Sequence, residues 1–311
     1  TGMNPTPAIP SNQSSPVSRL TLGTVQFGLN YGIANQSGKP AYPICRDIIA
    51  EAFSSGIRFF DTAAAYGESE MVLGRALHEL GIADQVILVS KSSPLTSEKT
   101  SPSDIKRTIE ASLLGSLRHL GIESLPIYLF HRESEIGSIE VLAELRDRGL
   151  VNEIGISVDT AQGAENAVKE QLVDVIQLPY NLLDHRFTKS PWFNSSGNHP
   201  RLFARSAFLQ GLLLMPEENL PPDLSSVLPV RRRIESLASE AGVRMSEICL
   251  RYCLSCPRID SVLIGVDNVD QLKENITFAS KGPLPPDLIQ QIDEAVPDFP
   301  ETIVRPSLWS K

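Results

Sequence analysis

The chain has 311 residues, of which 41% are hydrophobic and 21% charged, a globular composition with length enough for one large barrel or two smaller domains. Its net charge of -9, with Lys and Arg scattered, excludes the basic stripe of a nucleic-acid binder. No run approaches the roughly twenty apolar residues of a membrane-spanning helix, which excludes that class as well.

Residues 1–18 are rich in Pro, Ser and Asn and lack an apolar stretch, so they predict a disordered lead rather than a secretory signal, with 19–311 as the folded unit. From there, short runs rich in Val, Ile and Phe alternate with segments of helical periodicity. In chain order they are strand 20–25, helix 44–55, strand 57–61, helix 69–80, strand 86–91, helix 103–120, strand 126–131, helix 139–148, strand 153–157, helix 161–170 and strand 174–178. A polar, proline-bearing stretch follows at 181–200, then strand 201–206, a second long stretch at 210–229, helices 230–241 and 246–255, strand 261–265 and a helix beginning near Asn268. Eight such strands joined by crossover segments predict an α/β fold, a single (β/α)8 TIM barrel with long loops after strands 6 and 7. Several helices end at a glycine suited to a left-handed cap, namely Gly56, Gly81, Gly121, Gly149 and Gly242. Arg231, Arg232 and Arg233 read as a solvated helix start. Cys45, Cys249, Cys253 and Cys256 lack metal-ligand spacing, and Cys249 and Cys253 share an apolar helical face. They predict reduced core thiols of a cytoplasmic protein and no metal site.

Chemistry in a barrel enzyme sits at the C-terminal ends of the strands, and the polar residues found there are specific. The second strand ends in Asp61 and leads to Tyr66 through Ile-Arg-Phe-Phe-Asp-Thr-Ala-Ala-Ala-Tyr-Gly; the third ends in Lys91 and the fourth in His131. Three ionisable groups at successive strand ends, with a tyrosine one short loop away, form an acid–base cluster. Hydride reduction of a carbonyl needs a proton donor at the incipient alkoxide, and a free phenol is a weak acid at neutral pH. A lysine ammonium stabilises the phenolate, an aspartate holds the lysine charged, and a histidine bonds the substrate oxygen.

From Leu22-Gly-Thr24 to Glu274-Asn275 the chain resembles the aldo-keto reductase superfamily, on the strength of Asp-x4-Tyr-Gly followed by Gly74-Arg-Ala-Leu77. The resemblance implies an NAD(P)H-dependent oxidoreductase that reduces an aldehyde or ketone, with the family's Asp, Tyr, Lys and His tetrad at Asp61, Tyr66, Lys91 and His131. It also implies a nicotinamide site at the barrel mouth, with Gly23 and Thr24 after the first strand and Ser157 and Gln177 holding the carboxamide. The asparagine that usually follows that serine is replaced by Val158. Residues 204–212, Ala-Arg-Ser-Ala-Phe-Leu-Gln-Gly-Leu, match the family strand whose tyrosine stacks on the nicotinamide; Arg205 stands in its place, either stacked on the ring or clamping an anion. By the same resemblance Ser206, Leu209 and Gly211 meet the pyrophosphate, and Glu274 and Asn275 meet the adenine.

The family usually prefers NADPH. Basic residues are common in it at the positions of Gly265, Asp267 and Gln271, none of which is basic here, so the expectation is NADP narrowly ahead of NAD with weak discrimination. Arg132, Asn181, His185 and Trp192 are candidate substrate residues. With Arg186, Asn194, Ser195, Ser196 and Arg305 they suggest a small polar substrate such as a hydroxyaldehyde or sugar. The alternative is a nicotinamide-binding regulatory or sensor barrel with little turnover. A hydrolase is disfavoured because Asp61 has no second carboxylate at a neighbouring strand end.

Overall fold

The computed structural model describes residues 15–33, 35, 38–95, 101–195 and 199–309. Most of the expected lead, and Ser196, lie outside the described residues. The last part of that lead is ordered: Pro16–Arg19 form a 3-10 turn with Val17 buried, and the Arg19 guanidinium donates to the Leu254 carbonyl at 2.7 Å.

The eight expected strands form. β1 (Leu20–Gly23), β2 (Phe59–Asp61), β3 (Ile87–Lys91), β4 (Leu125–Phe130), β5 (Val151–Ser157), β6 (Val175–Pro179), β7 (Arg201–Arg205) and β8 (Ser261–Ile264) pair in parallel and in chain order. The sheet closes where β1 meets β8, with Leu20 opposite Val262 and Leu22 opposite Ile264. A closed sheet leaves no unpaired edge. Around it stand α1 (Val25–Gly28), α2 (Tyr42–Ser54), α3 (Ser69–Glu79), α4 (Pro102–Leu120), α5 (Ile139–Asp147), α6 (Ala161–Lys169), α7 (Leu228–Glu240), α8 (Met245–Ser255), α9 (Val269–Ser280), α10 (Pro286–Ala295) and α11 (Glu301–Val304). The described part of the β6–β7 connection contains no α-helix, and α10 packs against α7. The five glycines expected as left-handed caps all have positive φ.

Two apolar layers sort the side chains. Outward-facing strand residues such as Phe60, Leu88, Tyr128, Ile156 and Ile176 pack under the helices. Phe59, Ile87, Val89, Ile127, Leu129, Val175 and Phe203 form a separate cluster that fills the barrel. Successive strand residues point to opposite faces, so a residue two places beyond a barrel-filling one faces inward as well, one layer nearer the C-terminal mouth. The cysteines are free thiols, three of them buried. Among the described residues no helix is long and apolar enough to cross a membrane, and no group of three or more His, Cys, Asp or Glu is arranged to hold a metal ion.

Candidate active site

The period of two places the site. Asp61 follows Phe59, Lys91 follows Val89, His131 follows Leu129, Gln177 follows Val175 and Arg205 follows Phe203, each two residues beyond a barrel-filling side chain. The mouth layer is therefore polar where the layers beneath are apolar. Lys91 Nζ donates to Asp61 Oδ1 at 2.6 Å and to the Thr62 carbonyl at 2.9 Å, and both charged side chains are buried. The other Asp61 oxygen accepts from Gln177 Nε2 at 2.8 Å. Burial pushes the Lys91 ammonium down, but Asp61 and then the Tyr66 phenol more than offset it, and the net shift is upward. The lysine therefore stays charged.

Tyr66 sits on the loop after β2. Its ring centroid is 5.1 Å from Lys91 Nζ and 5.5 Å from the His131 ring, edge to face. The loop is held by two glycines: a Cβ on Gly28 would lie 1.7 Å from the Tyr66 carbonyl oxygen, and Gly67 has φ +55° with its missing Cβ 2.6 Å from the Gly28 carbonyl. Gly74 likewise lets α3 approach α4, its absent Cβ falling 2.7 Å from the His119 carbonyl oxygen. Beneath the loop, the Thr24 hydroxyl donates to the Asp61 carbonyl at 2.8 Å and meets Ser69 Oγ at 2.7 Å. Thr24 thus supports the tetrad from below.

His131 is neutral. Burial first, then the charges of Lys91, Arg205 and Arg132, push its imidazole down to about 3, with Asp159 opposing. Its Nδ1 is buried without a partner. Arg205 does not stand free: its guanidinium donates to the Val158 carbonyl at 2.9 Å and forms an ion pair with Asp159, leaving Nε buried and unpartnered.

From this mouth a groove of about 610 Å³ runs outward, a size typical of ligand sites. Asp61, Tyr66 and Gln177 line its inner end, Arg205, Ser206 and Gly211 its middle, and Gly265, Asp267, Gln271, Glu274 and Asn275 its outer end, with Gly23 and Thr24 on the opposite wall. Ser157 and Leu209 are buried and do not line it. The N-terminus of α9 opens at the outer end, where Asn268 Oδ1 accepts from the Gln271 N–H at 2.9 Å. Gln26 and Arg205 both line the groove, and each carries a buried polar atom without a protein partner, Gln26 Oε1 and Arg205 Nε. These features fit an extended dinucleotide.

The candidate substrate residues separate. Asn181 is fully buried, donating to the Ser206 carbonyl at 3.1 Å and accepting from the Leu183 N–H at 2.9 Å, so it shapes the loop after β6. His185 stacks on Tyr252, whose hydroxyl lies 3.2 Å from its Nε2. Trp192 packs edge to face on Phe193. None of these three lines the groove, and neither does Arg132, which follows His131 in sequence and is exposed. The sequence reading also missed contributors. Arg231 is buried rather than solvated, lines the groove, and bonds Glu235 Oε1 at 3.0 Å and the Leu212 carbonyl at 3.2 Å. Arg244, paired with Glu274, and Tyr31, whose hydroxyl accepts from Gln210 Nε2 at 3.2 Å, line it too. The available signal was the position of Tyr31 soon after the first strand and of Arg244 at the start of α8.

Comparison with known proteins agrees with this geometry. The model of the family described as "Aldo/keto reductase family" matches residues 19–297. An L-glyceraldehyde 3-phosphate reductase of Escherichia coli O157:H7 is 27% identical, covering 90% of this chain and 91% of its own. An NADH-specific methylglyoxal reductase of Escherichia coli K12 is 25% identical, covering 84% and 89%. The holo form of an aldo-keto reductase from Bacillus halodurans superposes with a TM-score of 0.73 at 24% identity, over 90% of this chain and 93% of that one.

Proposed function

The chain belongs to the aldo/keto reductase family, as an NAD(P)H-dependent carbonyl-reducing oxidoreductase, and from that premise we propose that Tyr66 is its proton donor. The observation that carries this reading is the buried Lys91–Asp61 pair at 2.6 Å with the Tyr66 ring against its ammonium. A bound nicotinamide supplies the hydride. Tyr66 gives its proton to the carbonyl oxygen, and Lys91 stabilises the negative charge left on the phenol oxygen. Asp61 keeps the ammonium charged and pointed, and Gln177 fixes the second Asp61 oxygen. Neutral His131 donates a hydrogen bond to the substrate oxygen without competing for the transferred proton.

Gln177, Arg205, Ser206, Gly211, Gly265, Asp267, Gln271, Glu274 and Asn275 would hold the dinucleotide along the groove, which Gln26 also lines. For the coenzyme, charge pairing at the groove's outer end moves the balance from NADPH to NADH. Arg231 is paired with Glu235 and Arg244 with Glu274, while Asp267 faces the groove as a third carboxylate. A dianionic 2′-phosphate meets two neutralised arginines and an aspartate, whereas a ribose 2′-hydroxyl has a carboxylate to donate to. The helix N-terminus at Asn268 favours anions by roughly 0.3–1 kcal/mol, which keeps the preference modest. The substrate is a small polar carbonyl compound; the names of the two Escherichia coli relatives support this.

The test follows consumption of NADH and of NADPH with aldoses, methylglyoxal and aromatic aldehydes. Turnover of small polar carbonyls, faster with NADH, is expected. Tight coenzyme binding with no turnover across the panel would replace this reading with that of a sensor barrel.

A further inference from the structure

The hydride must pass directly from the nicotinamide to the carbon whose oxygen takes the Tyr66 proton, so the ring belongs at the inner end of the groove, which Asp61, Tyr66 and Gln177 line. Arg205 borders that end. Gln177 and Arg205 stand on the neighbouring strands β6 and β7, each two residues beyond a barrel-filling side chain, and both line the groove. Lys91 and Arg205 thus bring two cations to the mouth layer, and each has its own carboxylate: Asp61 for the lysine, Asp159 for the arginine.

Asp159 lies outside the groove, just beyond β5, and its backbone is fixed from both sides. Its N–H donates to Glu133 Oε2 at 2.8 Å, and its carbonyl accepts from Arg186 Nη1 at 2.8 Å, with Arg186 itself anchored on buried Asp184 at 2.7 Å. The same turn supplies a second acceptor. The Val158 carbonyl takes a hydrogen bond from Arg205 Nη2 at 2.9 Å, and that nitrogen also meets the Asp159 carboxylate. Two acceptors on one pinned turn fix the end of a side chain that otherwise has many rotamers. Burial pushes the Asp159 carboxyl up, but Arg205 and then Arg305 and Arg186 more than offset this, so it stays ionised at neutral pH. The oxidised nicotinamide ring carries a positive charge and the reduced ring none, so an uncompensated guanidinium beside it repels one form of the coenzyme only.

We propose that Asp159 is a positioning residue that sets how the enzyme discriminates oxidised from reduced coenzyme: it holds the Arg205 guanidinium beside the nicotinamide ring and cancels its charge there, so that the oxidised ring is not repelled. The proposal rests on the reading of the groove as a nicotinamide site and adds to it a determinant outside the groove.

Calorimetric titration without substrate, of NAD+ with NADH and of NADP+ with NADPH, gives for each pair the ratio of the oxidised to the reduced dissociation constant. Asp159→Asn leaves the guanidinium uncompensated and should raise that ratio about 3- to 10-fold, with the reduced form bound nearly as before. Arg205→Gln removes the cation and leaves the carboxylate, so the ratio should fall below the wild-type value. The double variant, neutral at both positions, should return it close to the wild type. Opposite signs separate charge from damage to the fold, which weakens both forms alike. A ratio unmoved in both single variants, or moved the same way in both, overturns the proposal. Equal weakening of the oxidised and reduced forms also overturns it, because that is the result of an Arg205 that clamps the pyrophosphate instead of facing the ring. Failure of the wild type to bind either pair sinks the underlying nicotinamide reading, whereas binding with unmoved ratios sinks this inference alone.

Discussion

Gly28 and Tyr66 approach so closely that a methyl group on the glycine would lie 1.7 Å from the tyrosine's carbonyl oxygen. The short α1 and the loop after β2 are thus packed backbone to backbone, and the Tyr66 loop is positioned by a contact that only glycine permits. Gly28→Ala must push the Tyr66 loop away. A displacement near 1 Å at a reacting group costs about 100-fold in rate, so kcat should fall by that order while the barrel still folds. Comparison of kcat with the thermal melt of the same variant checks this; an unaltered kcat would mean that the loop's position does not set the chemistry.

The His131 imidazole gives the fold a pH signature. Its folded value of about 3 lies below the 6.5 of an unperturbed histidine. Between those values the unfolded chain binds a proton that the folded chain refuses, so the contribution to stability is complete above about pH 6.5 and is lost as the pH falls toward 3. Replacement by glutamine removes that dependence. Urea titrations near pH 7 and pH 5 should show the wild type losing about 2 kcal/mol more than His131→Gln over that interval. Equal losses would show that the histidine is not held neutral.

Coenzyme choice should follow the pairing at the groove's outer end. The wild type is expected to bind NADH more tightly than NADPH by less than about 100-fold, under about 3 kcal/mol. Glu274→Gln releases Arg244, and Asp267→Arg replaces a carboxylate by a cation, so both should strengthen NADPH binding in a fluorescence titration. A wild type that already prefers NADPH by a thousandfold, or variants that leave both dissociation constants unaltered, would place the 2′-position elsewhere.

Much of the barrel was legible because period-two strands carry their chemistry in register. Once Phe59, Val89 and Leu129 are read as inward-facing, Asp61, Lys91 and His131 follow by counting two. What stayed hidden depends on contacts between elements far apart in sequence. Arg231 looks solvated in a run of three arginines, yet one turn of α7 against Leu212 buries it. Arg205 stands at the position of a ring-stacking tyrosine, yet its partner is Asp159, just beyond β5, the next strand but one. Asn181, His185 and Trp192 are candidates by their place in the long loop after the sixth strand, which names no side-chain direction. Asn181 instead closes its own turn with the Leu183 N–H, and the aromatic stack of His185 and Tyr252 carries the loop after β6 toward α8. α10 and α11 follow the last strand, where a count of eight strand–helix units no longer guides the reading.

The central claim is that Tyr66 gives up the proton, and Tyr66→Phe tests it with two readings on one protein. The phenylalanine keeps the ring against His131 and Lys91 and removes only the hydroxyl. With an aldehyde that the wild type reduces, kcat should fall by about 10²–10⁴ while the dissociation constant for NADH, measured by fluorescence quenching, stays within a few fold. Undiminished kcat in that variant, with coenzyme bound as before, would contradict the assignment.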